Sequence, residues 1–312
     1  MTSGVCRRIA SDRYNAIRVT QPIITPLRTS GRAPRVLTID VEDWFHVCGD
    51  DYYSDPRRWD AFLPRVERTL SELLDKLERG GHRATLFFLG WIARRHPHLV
   101  AEAVRRGHEI GVHGDVHRRA DEMSPSEFRS DLVRACESIT RAGGTRLICH
   151  RAAEWSIRRP DDARLSVLAA EGFRCDASVM PVPPLGDADN PPGPYRLAWS
   201  DASLIEVPAL TGRGFGRRLP MGGGWPFRMF SPERIAADEY RFRDSGWPAV
   251  FTFHPWEFDS EHPSLVGLSA IGRLVHSYNL GAVPKLFARW LGEDRTATLG
   301  EACEGLRVSA AA

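Results

Sequence analysis

The sequence predicts an α/β protein built from parallel strands and helical crossovers. Three observations support this prediction. Apolar runs of strand length alternate with helical patterns, the helices carry start and stop signals, and polar residues follow the strands at one end. Repeated strand–helix units place consecutive strands parallel to each other. A chain of 312 residues accommodates one large domain, and α/β barrels reach this size.

The strands are short apolar runs, and we predict them at 36–39, 84–89, 108–113, 146–150, 204–207 and 249–253, with a further short strand that ends at Asp176. The helices lie between these runs, and we predict them around 66–77, up to 106, from 124 to about 142, around 165–170 and from 231 onwards. Ser124, Pro125 and Glu127 have the pattern of a capping box. Residues 181–194 include six prolines, which predicts a long loop.

The two ends of the chain differ from the part between them. Residues 1–34 contain six arginines and one acidic residue, and we expect a poorly ordered basic extension. We expect a single domain over 35–292 and a frayed tail over 293–312. No secretory pattern and no apolar run of 18 residues is present, so we expect a cytoplasmic protein without a transmembrane segment.

Composition bears on partners and on redox chemistry. The formal net charge of +2 argues against a dedicated nucleic-acid-binding protein. Six cysteines are scattered along the chain without a CxxC pair, which indicates reduced thiols. The oligomeric state is not visible in the sequence.

Polar residues follow five of the predicted strands, and this distribution favours a barrel over an open sheet. These residues are Asp40, His113, Arg151, Asp176 and His254. Barrel enzymes collect their chemistry at the carboxyl ends of the strands, because the loops from all strands converge there.

Two segments carry residues that favour a metal site. Asp40, Glu42 and Asp43 form a dense group of carboxylates, which is costly unless a cation or an arginine neutralises it. His113 and His117 are spaced so that both imidazoles can share one metal ion. A solvated acidic turn and structural histidines are the ordinary alternatives for these segments.

A carboxylate and two histidines leave a zinc ion with an open position for water. A second carboxylate can then accept a proton, and a histidine such as His254 can return one to the leaving group. An arginine at the mouth of the barrel, Arg151, can orient the base and keep it ionised. This set of groups predicts metal-assisted hydrolysis of an amide or an ester.

Four segments resemble the polysaccharide deacetylases of the NodB-homology class, which form carbohydrate esterase family four, and their order and spacing along the chain are those of the family. They are TIDVEDWF at 38–45, HEIGVHGDVH at 108–117, FHPWE at 253–257 and LPMGGGWPFR at 219–228. The last segment is similar to the branch associated with exosortase (PEP-CTERM) and exopolysaccharide gene clusters. The resemblance covers about residues 35–292, and its part at 190–292 is specific to that branch.

The resemblance implies a distorted (β/α) barrel of about seven strands and a divalent metal, with zinc preferred. It implies that Asp40 is the catalytic base, that His113 and His117 are metal ligands, that Arg151 tunes the base and that His254 is the general acid. Asp176 matches an Asp-Ser pair of the branch and is expected to orient an active-site group.

Two residues are candidates for the carboxylate that binds the metal, because Val41 stands where many members of the family have a second aspartate. Glu42 lies two residues after Asp40 and so faces the same side of the strand, which favours it as the ligand, with Asp43 as the alternative.

Four tryptophans lie within or beside these segments, and we expect them to bind sugar rings or to fill the core: Trp44, Trp155, Trp225 and Trp256. The resemblance implies removal of N-acetyl groups from an amino-sugar polysaccharide as part of exopolysaccharide biosynthesis. Two alternatives remain open at this point, a hydrolase of small amides such as cyclic ureides and a non-catalytic carbohydrate-binding protein.

Overall fold

The computed structural model describes residues 21–309, with the exception of 215, 266, 269 and 293. The predicted basic extension at 1–34 therefore lies mostly outside the described residues. The strands are β1 (Ile23–Arg28), β2 (Arg35–Val41), β3 (Thr85–Phe88), β4 (Glu109–Val112), β5 (Cys149–His150), β6 (Cys175–Asp176), β7 (Tyr195–Ala198), β8 (Ser203–Glu206), β9 (Thr211–Gly214), β10 (Arg217–Pro220), β11 (Ala249–Phe253) and β12 (Arg307–Val308).

The helices cover the sheet and connect its strands. They are α1 (Val66–Gly80), α2 (Gly90–Arg95), α3 (Pro97–Arg105), α4 (Pro125–Arg141), α5 (Ala163–Ala170), α6 (Gly224–Met229), α7 (Pro232–Asp244), α8 (Ala270–Ser277), α9 (Val283–Leu291) and α10 (Leu299–Glu304). Short 3₁₀ turns lie at 56–61, 120–122, 153–155, 255–258 and 280–282. Among the described residues, no helix combines the length and the apolar character needed to cross a bilayer.

Local sequence signals account for the helix ends. Helix α1 buries its apolar stripe of leucines and ends where Gly81 adopts a left-handed conformation, with φ of 65°. Helix α4 begins with the predicted capping box, in which Ser124 and Glu127 bond each other's backbone N–H groups. The helix predicted to run to 106 is divided in two, because Pro97 cannot continue the helix that precedes it.

Strands β11, β2, β3, β4, β5, β6 and β8 lie side by side in that order, and each pairs with its neighbour in parallel. This mixed α/β fold with a parallel sheet confirms the predicted class, and the seven parallel strands in the described part of the chain match the predicted number. The sheet then continues through the antiparallel strands β7, β1 and β12. The strand predicted at 146–150 is reduced to its last two residues, since Arg146 has a positive φ of 54°.

Regular pairing stops between β8 and β11, and isolated backbone hydrogen bonds connect these two edges. Leu210 N–H donates to Val250 O at 3.0 Å, and Thr252 N–H donates to Gly222 O at 2.8 Å. Gly223 next to this contact has φ of 110°, and a Cβ there would clash with the Thr252 carbonyl oxygen. The glycine-rich segment is thus required for close approach to β11.

Both ends of the described chain are ordered parts of the fold, which the sequence did not predict. Strand β1 lies inside the region expected to be a poorly ordered extension, and it pairs with β7 and β12. The segment expected to be a frayed tail forms α10, whose Leu299, Ala302 and Cys303 are buried in a second apolar cluster. This helix is short and weakly periodic, so only its long-range contacts reveal it.

The contacts of α10 lead to a prediction about stability. Leu299 is fully buried, so Leu299→Ala should lower the free energy of unfolding by about 2–4 kcal/mol through lost burial and a residual cavity. Val308→Ala, at a residue with 54% exposure, is the control and should change it by less than about 0.5 kcal/mol. Denaturant unfolding measures both values, and an unchanged midpoint for Leu299→Ala would mean that α10 does not contribute to the core.

Candidate metal and catalytic site

The carboxyl ends of four strands of the parallel sheet bring the candidate residues to one rim. Asp40 lies in β2, His113 directly follows β4, Arg151 follows β5 and His254 follows β11. The sequence predicted these positions, and the parallel pairing explains why residues distant in the chain meet there.

Glu42, His113 and His117 form the centre of the site. Oε1 of Glu42 lies 2.9 Å from Nε2 of His113 and 2.9 Å from Nε2 of His117. All three side chains are buried, and their ligand atoms lie within 4.8 Å of one another. Two imidazoles and one carboxylate that converge in this way have the donor chemistry and spacing of a site for a divalent transition metal.

Each imidazole is oriented by a contact at its other nitrogen. Nδ1–H of His113 donates to the backbone carbonyl of Arg151 at 2.8 Å, which directs Nε2 towards Glu42. Nδ1 of His117 lies 3.4 Å from Sγ of Cys48, a residue that the sequence did not single out. Burial raises the pKa of the Cys48 thiol, so this group is a neutral partner.

The electrostatics of the centre favour an ionised carboxylate. Burial alone would raise the pKa of Glu42, but the charges of His117 and His254, together with hydrogen bonds from the two imidazoles, hold it well below its usual range. Burial likewise opposes protonation of His117, yet the charge of Glu42 raises the pKa of that imidazole. Glu42 therefore stays negative and requires a positive partner at this position.

Asp43 has a different role from the one that the sequence left open. Its Oδ1 accepts from the N–H of Trp44, and its Oδ2 accepts from the N–H groups of Arg65 and Val66 at 2.8 and 3.1 Å. These bonds satisfy free N–H groups at the start of α1. Of the two candidates for the metal carboxylate, Glu42 lies in the cluster with both histidines, whereas the oxygens of Asp43 accept hydrogen bonds from backbone N–H groups.

Asp40 and Arg151 form a buried ion pair beside the cluster. Nη1 of Arg151 donates to Oδ1 of Asp40 at 2.8 Å and also to Oγ1 of Thr38 at 2.8 Å. Oδ2 of Asp40 lies 3.9 Å from Nε2 of His113 and 3.9 Å from Nε2 of His254. One oxygen of Asp40 is thus fixed by the arginine, and the other faces the space between the two histidines.

His254 is positioned by the residues that follow it in FHPWE. Its Nδ1 lies 3.2 Å from Oε2 of Glu257, and its ring stacks on Trp256 with 5.0 Å between ring centroids. Burial opposes protonation, but the charges of Glu42, Glu257 and Asp40 and the hydrogen bond with Glu257 raise the pKa of His254 to about 9. Glu257 was not predicted as a site residue, although its spacing of three residues from His254 indicates this contact.

Asp176 supports Arg151 from a distance and does not touch the reacting groups. It accepts hydrogen bonds from His150 at 2.7 Å and from the Ser178 hydroxyl at 2.8 Å. That hydroxyl accepts the N–H of Ala152, next to Arg151 in the chain. Its expected role of orienting an active-site group agrees with these bonds, and its place among the catalytic residues stays a prediction.

A cavity of about 360 Å³ opens onto the cluster and contains the space where a substrate can bind. Asp40, Glu42, His117 and His254 line it, as do all four predicted tryptophans, Trp44, Trp155, Trp225 and Trp256. The tryptophans are half-buried, so part of each ring faces the cavity and part packs against the protein. Gly222–Gly224 and residues of α8 also line the cavity, among them His276, which the sequence did not predict.

The parallel sheet and the carboxylate–imidazole site at its strand ends define a class of structure, an α/β fold whose candidate chemistry lies on the carboxyl-end rim. More particularly, two parts of the chain match family models. The family model described as "Polysaccharide deacetylase" matches residues 51–167, which include His113, His117 and Arg151. A model described as "Domain of unknown function (DUF3473)" matches 177–303, which include His254. Asp40 and Glu42 precede both matches.

Two curated relatives share parts of this sequence. The chain is 32% identical over 81 residues, 26% of its length, to a peptidoglycan-N-acetylglucosamine deacetylase of Bacillus cereus. It is 31% identical over 143 residues, 42% of its length, to the "Probable 4-deoxy-4-formamido-L-arabinose-phosphoundecaprenol deformylase ArnD" of Shewanella sediminis. The matched segments span 29% and 45% of these relatives.

A solved structure from Mycobacterium smegmatis, described as that of a candidate polysaccharide deacetylase, has a similar fold. It superposes with a TM-score of 0.58 at 22% sequence identity, and the match covers 91% of this chain and 93% of the other. The two proteins therefore share a similar fold over nearly the whole of this chain.

The positions of Glu42 and Asp43 lead to opposite predictions for two neighbouring substitutions. Glu42→Gln should weaken Zn²⁺ binding by about 100-fold or more, because loss of even an outer contact of such sites costs about 10–100-fold. Asp43→Asn should leave Zn²⁺ affinity unchanged and lower the free energy of unfolding by about 1 kcal/mol through the weakened helix cap. Calorimetric titration and thermal unfolding measure both effects, and loss of Zn²⁺ binding in Asp43→Asn alone would reverse the assignment.

Proposed function

We propose that this chain is a divalent-metal-dependent deacetylase that removes N-acetyl groups from an amino-sugar polysaccharide. One observation carries the proposal. A tryptophan-lined cavity is bordered by two members of the metal-type donor set, Glu42 and His117, and by two further groups, Asp40 and His254. Asp40 is in turn paired with Arg151. A site that only binds a sugar would not need these acid–base groups beside a metal cluster.

The donor set fits Zn²⁺, because two imidazoles and one carboxylate are ligands of catalytic zinc sites that keep a further position open. In such sites the ion supplies polarisation of the substrate carbonyl and a lowered pKa of water. The ligands in this chain are Glu42, His113 and His117, and the contacts at Nδ1 of the two histidines keep their Nε2 atoms aimed at the centre.

Asp40 is the base in this proposal. Its Oδ2 faces the shared space, and its Oδ1 is fixed by Arg151, so the carboxylate is oriented to accept the proton of the attacking water. The arginine also places a positive charge beside this carboxylate.

His254 is the acid, and it donates a proton to the amine nitrogen as the bond to the acetyl carbon breaks. The carboxylate of Glu257 at Nδ1 favours the protonated form of this imidazole. Glu257 and Trp256 hold the ring in place, so its Nε2 faces the same space as Oδ2 of Asp40. Acid and base thus face a common space in the cavity.

The names of both curated relatives describe removal of an acyl group from a sugar nitrogen, acetyl in one and formyl in the other. This supports an N-acylated sugar as the substrate. The segment at 219–228 resembles the exosortase-associated branch, and we therefore propose an exopolysaccharide as the natural polymer. Pro220 and Gly222–Gly224 of this segment line the cavity, as a role in substrate recognition requires.

The activity can be tested by acetate release from N-acetylglucosamine oligosaccharides. We expect release by the zinc-loaded protein, loss of release with chelator and recovery on return of Zn²⁺. Asp40→Asn should lower kcat by about 10²–10⁴-fold with Zn²⁺ affinity retained, because only the proton acceptor is lost. Asp51→Asn, an equal change at an exposed position, is the control and should have wild-type activity.

Other outcomes separate the alternatives. Turnover of a cyclic ureide without acetate release from any oligosaccharide would favour the small-amide hydrolase. Saccharide binding that is unaffected by Asp40→Asn, with no turnover of either substrate, would favour a binding protein.

A further inference from the structure

The hairpin of β9 and β10 carries three arginines next to the cavity. In its register Arg218 lies directly opposite Arg213, whereas Arg217 lies opposite Gly214. Residues directly opposite each other in an antiparallel pair project from the same face, so Arg213 and Arg218 share one face and Arg217 lies on the other.

The glycines of β9 show which face of the hairpin is turned towards a neighbouring helix. A Cβ on Gly212 would clash with the Asp238 side chain, and a Cβ on Gly214 would lie 3.9 Å from the Arg234 guanidinium. Asp238 and Arg234 both belong to α7, so the face with Gly212, Gly214 and Arg217 is turned towards that helix. Arg213 and Arg218 project from the opposite face.

The face with Arg213 and Arg218 continues into the cavity. Pro220 lines the cavity and lies two residues after Arg218, so it projects from the same face of β10. Two residues of strand span about 7 Å. A chain that extends out of the cavity past Pro220 therefore meets the two guanidinium groups.

This pair of like charges is not neutralised by an acidic side chain in the part of the chain that the structure describes. Neither Arg213 nor Arg218 has a carboxylate partner in the described ranges, although Arg234 beside them pairs with Asp238. Like charges directly opposite each other on a sheet are destabilising. Burial and the charge of Arg213 both lower the pKa of Arg218, which shows that the two groups affect each other. An anion between them would remove this repulsion.

We propose that Arg213 and Arg218 form a binding site for an anionic group of the substrate, a carboxylate or a phosphate, on the glycan chain that leaves the cavity. This inference rests on the proposed function in that the N-acetylated sugar occupies the cavity. Guanidinium groups recognise both anions through paired N–H donors, and the site would select an acidic polymer over a neutral one.

The test measures binding, which does not depend on turnover. Calorimetric titration at low salt compares three probes of equal length: an N-acetylglucosamine oligosaccharide, one that alternates with glucuronic acid, and one that carries a terminal phosphate. We expect the wild-type protein to bind at least one acidic probe about tenfold more tightly than the neutral probe. The acidic probe that binds more tightly than the neutral probe identifies the anion as carboxylate or phosphate.

Arg217 provides a matched control, because it has the same charge on the same hairpin but lies on the other face. Arg218→Ala, and independently Arg213→Ala, should weaken binding of the acidic probe about tenfold and leave the neutral probe unchanged. Arg217→Ala should leave both unchanged. Equal binding of acidic and neutral probes by the wild-type protein would overturn the proposal, as would an equal loss in Arg217→Ala, and thermal unfolding confirms that each variant is folded.

Acetate release from the same probes separates this proposal from the proposed function. Selective binding without acetate release would retain the anion site and reject the deacetylase. Acetate release with no preference in binding would retain the deacetylase and reject the anion site.

Discussion

Arg151 and Asp40 pair in a region of the protein where neither side chain has appreciable contact with solvent. Removing each charge from water costs several kcal/mol, so the two must remain together in the folded protein. The pair also fixes the geometry of the rim, because the guanidinium of Arg151 bonds Thr38 in β2 and the carbonyl of Ala177 just after β6. Because Arg151 pairs with Asp40, the buried negative charge of Glu42 is compensated by the neighbouring imidazoles and by any bound cation.

The support for Arg151 comes from a second set of buried acids, Asp176 and Glu206. Burial and the charge of Asp176 raise the pKa of Glu206 well above its usual range, whereas bonds from His150 and Ser178 and a shared contact with Glu206 lower that of Asp176 in spite of burial. Negative charge is therefore favoured on Asp176, the acid bonded to His150. This arrangement holds the strand ends after β5 and β6 without competing with Asp40 for the arginine.

The sequence predicted what depends on local pattern and missed what depends on long-range contact. Capping residues around Ser124, the apolar stripe of α1 and polar residues at strand ends are local, and the structure confirms them. Strand β1 pairs with β12, where Leu27 lies opposite Val308 and the separation along the chain is 281 residues. Helix α10 is bonded to Thr85 and Glu109, which are 214 and 191 residues from their partners in the helix, and no local pattern reveals such contacts. The choice between Glu42 and Asp43 also needed the structure, because only the position of α1 shows which carboxylate is already occupied.

The two ends of the parallel strands differ in a way that indicates where ligands bind. At the amino end, Oε2 of Glu109 accepts from the Thr85 hydroxyl, the Gly300 N–H and the Cys149 thiol, so its bonding capacity is filled by the protein and covered by α10. At the carboxyl end, the ring nitrogens of His113 and His117 converge on Glu42 beside an open cavity. Both ends bury carboxylates, but among the described residues the groups of donor atoms close enough to share one metal ion lie at the carboxyl end. Burial of charge alone therefore does not mark the functional end, whereas convergence of donor atoms beside a cavity does.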